Sequence, residues 1–209
     1  MVSKEREPKL SPAERRRRQE ANRRPDKDRT AHEASRGKKM PTLADLSREL
    51  PSEHELVEFL DILAQEPSDR TAAIMAASLL EHALYAAVTA RMVDPGPTTV
   101  NLWFEAPNAP FATFADKIKL GRALGIYGEQ WEKALNQIRD IRNVFAHRAS
   151  PIDFRHPTII KEVKKIAGQK MIGENPARVR FCAACLKLAT KLVDYGFEHG
   201  GKDITLAFP

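Results

Sequence analysis

The sequence holds only two cysteines in 209 residues, Cys182 and Cys185. A secreted scaffold stapled by several disulfides is thereby excluded, and a reducing compartment fits. No run approaches the ~20 continuous apolar residues that a membrane-spanning helix requires, so no membrane partner is expected. An apolar signal segment near the N-terminus is also missing, and a cytoplasmic protein is the expectation. Long alternating runs of apolar and polar residues are absent, which leaves little to build a sheet from. No glycine-rich loop suited to cradling phosphate is present. Cys182 and Cys185 form a CxxC, but no second ligand pair accompanies it, and His156 and His199 are isolated, so neither a metal nor a cofactor is expected. The two cysteines sit beside Phe181 and Leu186 and read as core residues.

What is present begins with charge. The formal net charge is +6, yet it is unevenly placed: residues 1–42 hold 14 Lys and Arg against 7 Asp and Glu, so the remainder is close to neutral. Residues 1–42 contain almost no large apolar side chain and read as a disordered basic arm. Its densest block is Arg15, Arg16, Arg17 and Arg18, which could contact phosphates of RNA or DNA without sequence preference. A solubilising tail is the plainer alternative. No aromatics interleave these charges, so base stacking is not suggested.

Residues 43–198 read as one all-α domain, a compact bundle of about five to seven helices, with residues 199–209 as a C-terminal tail. Ser52-Glu53-His54-Glu55 is a capping box that opens a helix to about Gln65, with Leu56, Val57, Phe59, Leu60 and Leu63 at helical spacing. A second, alanine-rich helix runs from near Ser68 to about Met92. One polar stripe on it carries Thr71, Ser78, Glu81, His82, Tyr85 and Thr89, and the rest is apolar, so it is expected at the centre. Asp94–Pro110, with Pro95, Pro97, Pro107 and Pro110, reads as a loop from which Leu102, Trp103 and Phe104 pack back. Thr113 caps a helix to Leu124, and Gly125 and Gly128 mark its exit. Glu129 to Arg148 follows, its apolar stripe formed by Trp131, Leu135, Ile138, Ile141 and Phe145. Shorter and longer helices over Ile159–Ala167 and Pro176–Phe197 complete the bundle.

Three blocks carry a resemblance. The first is Ser68-Asp69-Arg70-Thr71-Ala72-Ala73-Ile74, leading into Leu79-Leu80-Glu81. The second is Asn108 to Leu120, including Phe114-Ala115-Asp116-Lys117-Ile118, followed by Ala123-Leu124-Gly125. The third is Ile138-Arg139-Asp140-Ile141-Arg142-Asn143-Val144-Phe145-Ala146-His147. Their order and spacing over roughly residues 68–150 resemble the mannitol operon repressor family. The chain departs from that pattern at Lys117, where the family more often carries Arg, and in its long arm. The resemblance implies an all-helical repressor of transcription, of the kind that controls sugar-alcohol uptake operons. No helix-turn-helix, zinc finger or basic zipper is found here, so such a role points to a protein partner.

The third block also resembles the Arg, polar residue, then His pattern of HEPN domains, small and usually dimeric helical bundles, many of which are metal-independent ribonucleases, so a homodimer is expected. That resemblance implies catalytic roles for Arg142, Asn143 and His147. The imidazole would move a proton at the ribose hydroxyl, and the guanidinium would offset phosphate charge. On a regular helix, Arg142 lies about 50° from the centre of the apolar stripe and His147 about 170° from it. Asn143 and His147 then share the outer flank, while Arg142 points to the core edge and needs an acidic partner. Glu81, Asp69 and Asp116 are the candidates, with Lys117 among the polar neighbours. A structural salt bridge and a phosphate contact are both open to Arg142, and a plain C-terminal histidine is open to His147. Arg139 reads as a solvated residue, and Trp103 and Trp131 as core.

Overall fold

The computed structural model of the chain describes residue 40 and residues 53–92, 96–167, 176–199 and 206–208. The basic arm with Arg15, Arg16, Arg17 and Arg18, and the Ser52 cap, lie outside the described residues. Among the described residues the protein is all-α, with helices α1 (Glu53–Gln65), α2 (Asp69–Arg91), α3 (Gly96–Phe104), α4 (Phe114–Ala123), α5 (Glu129–His147), α6 (Pro157–Ala167) and α7 (Pro176–His199).

α2 is the axis of the bundle. Alanines at 72, 73, 76, 77, 83 and 87 are all buried, and their small side chains admit neighbours on several sides. α7 lies along it, α4 and α5 pack on other faces, and α6 covers α5 and α7. By length and composition α2 could cross a membrane, with a mean hydropathy of 1.4. Its apolar surface is instead the floor on which the other helices rest. Rings of Phe145, Phe154 and Phe181 pack at tilted angles, 4.7 and 5.4 Å apart, and join α5, the α5–α6 segment and α7.

Local chemistry sets the helix ends. Ser68 caps α2 by accepting from Thr71 N–H at 3.2 Å, and Thr113 caps α4 by accepting from Asp116 N–H at 3.1 Å. Gly125, with φ of +71°, closes α4. Its N–H bonds to the Arg122 carbonyl, and Ile126 N–H bonds to that of Gly121, so two orphan carbonyls are satisfied at once.

Two elements differ from the sequence reading. The expected loop Asp94–Pro110 contains α3 over Gly96–Phe104. Pro97 falls in its first turn, where proline is tolerated, and Pro107 and Pro110 come after its end. Nothing between them breaks a helix, and Phe104 anchors it edge-on against Tyr85 at 5.1 Å. Trp103 is half-buried and Leu102 exposed. The second difference is the C-terminal tail. Residues 206–208 dock: Leu206 N–H donates to the Ile126 carbonyl at 2.7 Å, and Trp131 Nε1–H donates to that of Ala207 at 3.1 Å. Phe208 meets Trp131 edge to face at 6.2 Å.

Candidate functional site

α5 is an amphipathic rod. It buries Trp131, Ala134, Leu135, Ile138, Ile141 and Phe145, which recur every three or four residues. The Arg-Asn-x3-His segment occupies its last two turns. His147 is exposed in the final turn, where a cation complements the helix dipole. Asn143, one turn earlier, is half-buried, and Val144 beside it is 40% exposed, an apolar side chain on an otherwise polar flank.

Arg142 turns inward from that flank. Its Nη2 lies 3.8 Å from Glu81 Oε2, and its Nη1 donates to Asn143 Oδ1 at 3.2 Å. The other Glu81 oxygen accepts from Lys117 Nζ at 2.8 Å, and Lys117 also donates to the Ala112 carbonyl at 2.8 Å. One carboxylate on α2 thus gathers a cation from α4 and another from α5. Lys117 is the buried charged side chain among the described residues, and a buried ammonium demands such partners.

The three blocks, separated by tens of residues, therefore converge on a single cluster: Glu81 from the first, Lys117 from the second, Arg142 from the third. Of the acidic partners proposed for Arg142, Glu81 fills the role. Asp116 instead accepts from the Thr113 hydroxyl at 2.5 Å, closing the α4 cap. Asp69 stands twelve residues before Glu81 on α2, about 18 Å along the axis. It is not a partner of the motif. Its Oδ2 accepts from Phe154 N–H at 2.8 Å and its Oδ1 from Arg178 at 3.2 Å. That pairing pins the start of α2 to the α5–α6 segment and to α7. Arg139 also differs from expectation: it is half-buried and bonded to Asp140 and Asn136 at 2.7 Å each.

Sequence reasoning missed Arg178. It sits in the first turn of α7 and donates to Asp69 and to the carbonyls of Leu63 and Glu66. No motif marks it; only its position on the inner edge of α7 gives it this role. The cysteines lie where expected, inside α7. Among the described residues no group of His, Cys, Asp and Glu is arranged to hold a metal ion.

No family model, curated protein or solved structure matches the chain.

Proposed function

We propose that this chain is a regulatory protein of the mannitol operon repressor type, acting through contact with another protein. The observation that carries the reading is the meeting of all three resembling blocks at Glu81, with Lys117 at 2.8 Å and Arg142 at 3.8 Å. At this cluster Lys117 and Arg142 both face the Glu81 carboxylate, which favours a scaffold role for these three residues over phosphate contact at that point. Residues 43–209 carry a net charge near zero, and a surface without positive excess gives duplex DNA little to hold. The exposed flank of α5, with Val144 between Asn143 and His147, is the contact surface in this reading. Transcript profiling of a strain lacking the protein tests it. Transcripts of a sugar-alcohol uptake operon should rise, and the wild-type chain should restore them while Val144→Glu should not. An unchanged transcript profile, or full restoration by the variant, would refute the reading.

A second reading rests on a different observation. Arg142, only partly buried, donates to Asn143 at 3.2 Å one turn before the exposed His147, so the three polar residues are linked at the same end of α5. A metal-independent endoribonuclease of the HEPN type would use them, His147 as the proton-transferring group and Arg142 against the phosphate. Two chains related as a homodimer would bring two such edges together. Cleavage of RNA in EDTA, lost in His147→Ala with the fold retained, supports this reading; intact RNA at high protein concentration removes it. A monomeric mass by light scattering removes the dimer.

A further inference from the structure

A second concentration of charge lies well away from Glu81, where the first turn of α2 faces the segment joining α5 to α6. A cavity of about 640 Å³ opens there. Arg70, Arg155 and Arg178 line it, opposed by Asp69 and Asp153. Asp69 and Arg178 bond each other, and Arg178 spends its remaining donors on the carbonyls of Leu63 and Glu66. Asp153 Oδ1 accepts from the Arg155 backbone N–H at 3.0 Å.

Two guanidinium groups keep donors in hand. One terminal nitrogen of Arg70 donates to the carbonyls of Arg148 at 2.7 Å and Ser150 at 3.5 Å. Those bonds fix the group at the cavity wall and leave its other nitrogens for a ligand. Arg155 is exposed, and its contact with Asp153 runs through its backbone N–H rather than its guanidinium. The rest of the wall includes Pro67, Pro151 and Ile152, which suits a carbon skeleton rather than a bare ion. The volume falls in the ~300–1,000 Å³ range of small-molecule sites and exceeds what inorganic phosphate fills.

We propose that this cavity binds a small phosphate ester, with Arg70 and Arg155 on the phosphate and the apolar wall against the organic part. A phosphate monoester carries roughly −1.5 to −2 charge near neutral pH and three acceptor oxygens. Two arginine forks match that demand, whereas a singly charged carboxylate engages only one.

Backbone amide spectra of the full chain, titrated in parallel with glycerol 3-phosphate, inorganic phosphate and acetate, test the site. Glycerol 3-phosphate should shift amides in 68–70 and 149–155 to saturation, more tightly than inorganic phosphate, and acetate should leave them in place. Arg155→Gln should weaken binding by about tenfold with an unchanged melting curve, because Arg155 is exposed. Arg155→Lys should recover part of the loss. Four outcomes overturn the proposal: no shift with glycerol 3-phosphate, shifts confined to residues 1–42, equal affinity for acetate or inorganic phosphate, or undiminished binding by Arg155→Gln.

Discussion

Lys117 and Glu81 meet at 2.8 Å although 36 positions separate them in the chain. The contact joins α4 to α2 inside the domain, and Lys117 is only 8% exposed. An ammonium so placed cannot draw on water, so its charge is held by the carboxylate and by the Ala112 carbonyl. Arg142 approaches the second Glu81 oxygen from α5, farther away at 3.8 Å and with a side chain 29% exposed.

Removing the shared carboxylate should therefore cost more than removing Arg142, the more distant of its two cations. Glu81→Ala leaves a buried ammonium without its counter-charge and should destabilise the domain by about 3 kcal/mol. Arg142→Ala should cost only about 1 kcal/mol, because its longer and wetter ion pair is screened. Urea unfolding followed by circular dichroism checks both. Equal losses for the two variants would show that the three-residue cluster does not divide as its distances indicate.

Gly121 and Tyr127 supply the next prediction. The Tyr127 hydroxyl donates to the Ile118 carbonyl at 2.8 Å, and a Cβ built on Gly121 would lie 2.6 Å from that hydroxyl oxygen. The ring is locked between Trp131, stacked at 5.7 Å, and α4, so it cannot step aside. Gly121→Ala should cost about 2 kcal/mol through overpacking.

The same ring governs alkaline stability. Burial first, and the Glu132 charge second, push the Tyr127 phenol far above its ordinary 10.0, against the opposing pull of Arg122. The folded protein then holds a proton that the unfolded chain releases above pH 10. The stabilisation is complete below that point and falls as the pH rises past it. Unfolding free energies measured from pH 9 upward should decline in the wild type and flatten in Tyr127→Phe; parallel curves would exclude Tyr127 as the cause.

Much of this architecture was legible in the residues. The 3.6-residue recurrence of Trp131, Leu135, Ile138, Ile141 and Phe145 placed α5, and Thr113 announced the start of α4 through its capping chemistry. Glu81 was legible as one of three candidate partners of Arg142, with Asp69 and Asp116, because a cation at a core edge requires a counter-charge; the sequence did not choose among them. α3 was hidden because Pro97 and Pro107 at its margins masked the nine unbroken residues between them. The Asp69–Arg178 pair was hidden for another reason: 109 positions separate the two, and no local pattern encodes a tertiary pairing at that range. Docking of residues 206–208 was equally invisible, since so short a segment has no periodicity of its own.

Cys182 and Cys185 should be chemically silent in the folded protein. Burial pushes the Cys182 thiol up to about 11, with Arg178 opposing and Asp69 reinforcing, and it raises that of the fully enclosed Cys185 well above the ordinary 9.0. Only the thiolate attacks disulfide reagents. At pH 8 both thiols should react with an aromatic disulfide about a hundredfold more slowly in the native protein than in guanidinium. Two fast-reacting equivalents under native conditions would place them at the surface.

The C-terminal segment offers a test with its own optical reporter. Trp131 is 1% exposed, yet an indole N–H so enclosed must find an acceptor, and it finds the Ala207 carbonyl at 3.1 Å. Phe208 covers the ring edge and Leu206 hydrogen-bonds to Ile126, so three consecutive residues seal the junction of α4 and α5. Deleting residues 206–209 should leave the indole N–H to water and strip the apolar cover from its ring. The loss of one buried hydrogen bond and one aromatic contact amounts to about 2 kcal/mol. In a Trp103→Phe background, which leaves Trp131 as the single tryptophan of the two in the chain, emission should shift to the red and collisional quenching should increase. Unfolding should begin at lower urea with the slope of the transition nearly unchanged, because the helices themselves remain packed. Emission and quenching that match the undeleted protein would mean that α4 and α5 enclose Trp131 without help from the segment, and its docking would then be incidental to the fold.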